Sequence, residues 1–173
     1  MADSPASAVD LLLLRHGIAE GRGGVVPDAA RALTARGRER TAAVLRALVA
    51  RGMAADRLLA SPLRRARETA ELAVAAGLAP ALELAESLVP GGDTLEALPA
   101  WLGSVAAAGH PRPRLLLVGH EPDLSDLAAQ LLGAPPGALA LRKAGLAVLR
   151  LSPEAAPGQA RLRLLLSPRL LLA

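Results

Sequence analysis

The chain contains no cysteine, no phenylalanine and no tyrosine, and Trp101 is its single large aromatic residue. Without thiols there can be no disulfide and no thiolate zinc site. Without aromatic faces there is no platform on which nucleic-acid bases could stack. The core must therefore be built from Leu, Ala and Val. Lysine is almost as scarce: Lys143 stands alone among 20 basic residues. The arginines are interleaved with 16 acidic residues along the chain, so the net charge of +4 does not amount to one basic face, and nucleic acid is not an expected partner. No apolar run reaches the length of a membrane-spanning helix, so no membrane partner is expected either. The opening "MADSPASAVD" has no basic segment, and the apolar stretch after it stops at Arg15. A short flexible tail over residues 1–8 is expected there rather than a signal peptide, with a cytoplasmic location as the default.

What the chain does contain is apolar and regularly ordered. Over 173 residues, 52% are hydrophobic, enough for one domain, expected to span residues 9–173, with a real core. Val9–Leu14 has the character of a strand buried on both faces. After a Gly-rich loop over 17–33, Thr34 can cap a helix running to about Ala50, with Val44, Leu45, Leu48 and Val49 on its apolar face. "RLLAS" (57–61) is a second strand, and Ser61-Pro62 looks like an N-cap followed by a first-turn proline, starting a helix to about Ala76. A short strand near Ala81–Leu84 precedes the "PGG" turn at 90–92. Asp93 with Glu96 then offers a capping box for the next helix. "RLLLVGH" (114–120) is another strand, and Glu121-Pro122 opens a helix to about Leu132. Two last strands, 146–152 and 161–167, are joined by a Pro/Gly loop and should pair antiparallel. This alternation predicts an α/β fold: a single domain whose mostly parallel central sheet carries helices on both faces, ending in antiparallel strands, with no large cap insertion.

In such a sheet, ligands bind beyond the carboxyl ends of the strands. Arg15 and His16 fall at that end of the first strand, Ser61 with Arg64 and Arg65 beyond the second, and Gly119-His120 at the end of "RLLLV". Two histidines and at least two arginines thus meet at one rim, with no carboxylate cluster to hold a metal. A phosphoryl group fits this set. Guanidinium forks match phosphate oxygens, and a neutral imidazole can attack phosphorus and hold the group covalently. Fixed positive charge can stabilise the transferring oxygens. No cofactor is required.

Four blocks in order, "LLLLRHG", "LTARGRE", "ASPLRRARETAE" and "LLLVGHEP", resemble the signatures of the histidine phosphatase superfamily, the family of the phosphoglycerate mutases. The resemblance spans most of residues 9–150. It implies that His16 is the phosphoryl-accepting nucleophile and that Arg15 and Arg65, with His120, complete the phosphate pocket. Ser61, Ala66 and Thr69 match the block that contains Arg65, which sets Arg65 apart from Arg64. Arg31 of "RALT" matches an arginine near the family's site, although Ala32 replaces the usual proline. Glu86 falls roughly where larger members keep a general acid, with Asp93 as its competitor. His110 reads as an exposed loop residue, and Glu121 as a residue favouring its helix N-terminus that could also reach the pocket.

The region from Glu86 to Arg114 has no room for a cap, which is similar to the small SixA-type phosphohistidine phosphatases. The implied activity is a metal-independent phosphatase working through a phosphohistidine intermediate. Its implied partner is a phosphohistidine-bearing protein such as a phosphotransfer domain. A phosphatase of small phosphorylated metabolites or nucleotides shares the same pocket residues and remains the alternative. A non-catalytic phosphate-binding module would need the arginines but not His16.

Overall fold

In a computed structural model, residues 8–173 are described; the expected tail, apart from Ala8, lies outside them. Six strands form one sheet in the order β3-β2-β4-β1-β5-β6. These are β1 (Val9–Arg15), β2 (Arg57–Ala60), β3 (Glu83–Leu84), β4 (Arg114–Gly119), β5 (Leu146–Leu151) and β6 (Arg161–Leu166). The first four run parallel, β5 is antiparallel to β1, and β6 is antiparallel to β5. The single α/β domain with an antiparallel C-terminal edge is as the sequence predicts.

The leucine run explains the layering. Side chains alternate across a strand, so Leu11 and Leu13 face one side of the sheet and Leu12 and Leu14 the other, all four fully buried. Against the first pair pack α3 (Thr94–Ala107) and α4 (Asp123–Leu132). Against the second pack α1 (Ala35–Ala50), α2 (Arg64–Ala75) and Leu171 of the short α5 (Pro168–Leu171). Each such leucine contributes about 1.5–3 kcal/mol relative to exposure, which is how a core without Phe or Tyr is sustained.

Helix starts follow the capping signals in two cases of three. Thr34 accepts from Gly37 N at 2.9 Å, and Asp93 accepts from Glu96 N at 3.2 Å. Ser61 is different. The α2 helix begins at Arg64, its N-cap is Leu63, and no side chain caps it. Ser61 Oγ takes a distant partner instead, described below. The third strand is also shorter than its predicted span, reduced to Glu83–Leu84. Between β3 and β4 the described elements are one 3-10 turn (Glu86–Leu88) and α3, so no cap domain stands over the sheet.

Candidate active site

Parallel pairing places Arg15 opposite Gly119, and His16 N donates to Gly119 O at 3.1 Å. The residue after each strand tip is therefore a histidine, side by side: the His16 and His120 rings lie 5.2 Å apart, centroid to centroid. Both are buried, at 8% and 2% exposure. Gly17 lets the chain leave this crowded point. A Cβ there would fall 2.1 Å from Thr41 Oγ1, and Gly17 N donates to Thr69 Oγ1 at 3.0 Å while that hydroxyl donates to Arg65 O at 2.8 Å. One threonine of α2 thus joins the turn that carries His16 to the helix that carries Arg65.

The hydrogen bonding of His16 fixes its tautomer. Nδ1 lies 2.7 Å from Gly17 O. A carbonyl can only accept, so Nδ1 bears the proton and Nε2 keeps its lone pair. Burial pushes the His16 pKa down to about 3, with His120, Arg65 and Arg15 adding to the effect against the Gly17 hydrogen bond. Burial and then Arg65 bring His120 to about 4, against the opposing pull of Asp123 and Asp28. Both imidazoles are neutral near pH 7, the form in which an imidazole is a nucleophile.

Arg65 is 2% exposed and is gripped from one side: Nη1 donates to Asp28 O at 2.8 Å and Nη2 to Asp28 Oδ2 at 3.1 Å. Arg15 donates from Nη1 to Leu141 O at 2.8 Å. In both residues Nε is buried with no protein partner, as is Nδ1 of His120. Unmet buried polar atoms are rare and costly, about 1–3 kcal/mol each, and here they occur on Arg15, Arg65 and His120, three of the residues expected to bind one anion.

Arg31 is buried within the same cluster, and each of its three guanidinium nitrogens has a protein partner. Its Nε and Nη2 reach Asp28 Oδ1 at 2.9 and 2.7 Å, and Nη1 reaches Glu20 O at 2.6 Å. It acts on Asp28, and Asp28 in turn holds Arg65. The hydrogen bond from Arg31 first, then the charges of Arg65 and Arg31, keep the Asp28 carboxyl below the usual carboxylate range against the opposing effect of desolvation. Glu68 anchors the same loop to α2, accepting from Leu33 N at 2.7 Å and pairing with Arg64 and Arg38. Arg64 and Arg67, each about half exposed, are therefore ion-paired to the buried Glu68 and to Glu71.

His120 Nε2 lies 2.8 Å from Ser61 Oγ, the distant partner of that residue. Glu121 turns inward: its Oε2 accepts from Ser125 Oγ at 2.6 Å and from Leu141 N at 3.3 Å, and so it places the carbonyl that binds Arg15. Glu86 is exposed on the 3-10 turn after β3 and makes none of these bonds. His110 is exposed, 3.7 Å from Asp56. Asp28 was not singled out from sequence; its spacing of three residues before Arg31 is the one local signal it leaves. Among the described residues, no group of three or more His, Asp or Glu side chains is placed to hold a metal ion, and no helix is long and apolar enough to cross a membrane.

Comparison with known proteins agrees with this geometry. Residues 11–88 match the model of the histidine phosphatase superfamily, branch 1. An uncharacterised protein of Picosynechococcus sp. is 41% identical over 143 residues, covering 82% of this chain and 85% of that protein. The structure of the protein histidine phosphatase SixA complexed with tungstate superposes with a TM-score of 0.79 at 25% identity, covering 94% of this chain and 99% of the other. The α-ribazole phosphatase of Shigella flexneri shares the fold, with a TM-score of 0.68 at 20% identity over 92% of this chain and 97% of its own.

Proposed function

The chain belongs to the histidine phosphatase superfamily, and from that premise we propose that it removes phosphate from phosphohistidine on a protein, through a covalent intermediate on His16. The observation that carries this reading is the state of His16: buried, neutral, with Nδ1 donating to Gly17 O and Nε2 left with its lone pair.

In the proposed first step, His16 Nε2 attacks phosphorus and the N–P bond of the substrate breaks. The substrate imidazole, protonated on its other nitrogen, leaves as the neutral ring with the bonding electron pair. His16 becomes a phosphoimidazolium whose Nδ1–H remains on Gly17 O. In the second step water attacks phosphorus, the His16–phosphorus bond breaks, and His16 returns neutral as phosphate and a proton depart. The phosphoryl oxygens accept from the guanidinium groups of Arg15 and Arg65 and from His120, which offset charge as it develops. Ser61 Oγ accepts from Leu63 N at 3.3 Å and passes its own hydrogen to His120 Nε2, leaving Nδ1–H of His120 to face the anion. Arg31 takes part by holding Asp28.

An imidazole leaving group needs less help from an acid than an alkoxide does. That favours phosphohistidine in a site where Glu86 is exposed and hydrogen-bonds to none of the phosphate set. The absence of a cap among the described elements suits a phosphate presented on a protein surface.

The test is to mix the protein, in chelator, with a phosphotransfer domain carrying labelled phosphohistidine. Phosphate release and label trapped on the enzyme under alkaline quench are followed for wild type and His16→Ala. Release with base-stable label, both lost in the variant, is the expected result. No release and no label rejects this substrate. Turnover of small phosphomonoesters alone, on a panel run in parallel, replaces the reading with the metabolite one.

A further inference from the structure

Beside the phosphate set, sharing Arg15 as a wall, lies an open cavity of about 590 Å³. Its other charged lining residues are Arg40 of α1, Arg142 and Lys143 of the turn before β5, and Arg169 of α5. No acidic side chain lines it.

Elsewhere the arginines of this chain are commonly paired: Arg31, Arg38, Arg57, Arg64, Arg65, Arg67 and Arg150 each have a carboxylate within 4 Å. Among the described residues, none of the four cations flanking Arg15 has such a partner. Burial lowers the Arg15 pKa, Glu121 opposes that shift, and Arg142 adds to it, so Arg142 and Arg15 repel each other across the cavity wall. Like charges gathered without counter-charge cost stability, and folding alone gives no reason to gather them.

The backbone holds them there under strain. Ala144 has φ +59°, a left-handed conformation that costs an L-residue about 1–2 kcal/mol. Its N–H is shared between Arg15 O and His16 O, each at 3.1 Å, while Arg15 N donates to Gly145 O at 3.1 Å. Gly145 is the tight point, since a Cβ there would meet Arg142 O at 2.8 Å. The turn bearing Arg142 and Lys143 is thus clamped to the tip of β1, the strand that delivers the nucleophile. Strained backbone concentrates where position matters.

We propose that this cavity is a docking site for acidic side chains that flank the phosphohistidine on the partner protein; the proposal rests on the reading of the phosphate site given above. Small-molecule pockets are lined mainly by apolar and aromatic groups, whereas here only Ile18 and Pro168 are apolar. The cations come from three separate elements around an open mouth. An acidic protein surface meets that pattern, and its attraction acts chiefly on the rate of encounter.

The test uses a histidine-phosphorylated phosphotransfer domain in two forms, with three Glu or three Gln beside the phosphohistidine, and free phosphoimidazole as a small control. Wild type should turn over the Glu form with kcat/KM about tenfold above the Gln form at low salt, the difference shrinking as salt rises. In the triple variant Arg40→Gln, Lys143→Gln, Arg169→Gln that preference should vanish, while phosphoimidazole turnover stays unchanged. Equal treatment of the two forms by wild type overturns the proposal. So does a variant that keeps the preference, or one that loses phosphoimidazole turnover in step. Failure of wild type on phosphoimidazole itself would instead strike the phosphohistidine reading, and with it this proposal.

Discussion

Burial of two neutral imidazoles makes the stability of this protein sensitive to mild acid, by an amount that can be worked out. His16 and His120 have folded-state pKa values near 3 and 4, against 6.5 for an ordinary histidine. Because both are depressed, the unfolded chain takes up protons first as pH falls. The contribution of the neutral rings is fully present above about pH 6.5 and is lost between there and the folded values. From pH 7 to pH 5 each histidine should cost about 2 kcal/mol, and the pair about 4 kcal/mol. The double variant His16→Gln, His120→Asn removes the titration and should lose correspondingly less stability over that interval. With a urea slope of about 2 kcal/mol/M, the two proteins should differ by roughly 2 M in how far their midpoints move. Far-UV circular dichroism is the suitable readout, since Trp101 is the only tryptophan. The carboxylates with lowered pKa, Asp28 and Glu68 among them, titrate below this window and are common to both proteins. Equal losses in the two proteins would refute the claim that these rings are buried and neutral.

Thr69→Val keeps the shape of the side chain but leaves the buried Gly17 N–H without its acceptor. It should destabilise by about 1–3 kcal/mol, and hydrogen exchange should show faster opening at the His16 turn than in β2. Glu86→Gln should leave phosphohistidine turnover within about twofold, because an imidazole leaving group needs little help from an acid; a loss of tenfold or more would make Glu86 part of the machinery.

The residues at the strand tips were legible because one regularity places them. An alternating βα pattern puts Arg15, His16 and His120 at the same end of parallel neighbours, and pairing of Arg15 with Gly119 follows from it. The elements were legible for the same local reasons, with Thr34 and Asp93 capping as read. What failed was non-local. Ser61 before a proline looks like a helix cap, yet its hydroxyl meets a histidine 59 residues away, and sequence spacing has no means of ranking the two partners. Asp28 sits in a Gly-rich loop without periodicity, so nothing marked it as the carboxylate that grips Arg65 across 37 residues. Glu68 follows Arg64 by four residues, a spacing that shows only their local pairing; its bond to Leu33 N, which ties the loop to the helix, depends on the fold being assembled.

Under the proposed mechanism, the grip on Arg15 and Arg65 has a consequence for how tightly an anion is bound. Arg15 is tethered through Nη1 to Leu141 O, and Arg65 through both Nη atoms to Asp28. Long flexible side chains normally surrender rotamer freedom when a ligand arrives, at about 0.5–1.5 kcal/mol apiece. Here that loss is incurred during folding, so the two guanidiniums meet the phosphoryl group with their entropy already spent. The saving of about 1–3 kcal/mol corresponds to roughly 5- to 150-fold in affinity. It goes to any anion that fits, substrate and product phosphate alike, and discrimination between them must come from the group that the phosphoryl carries.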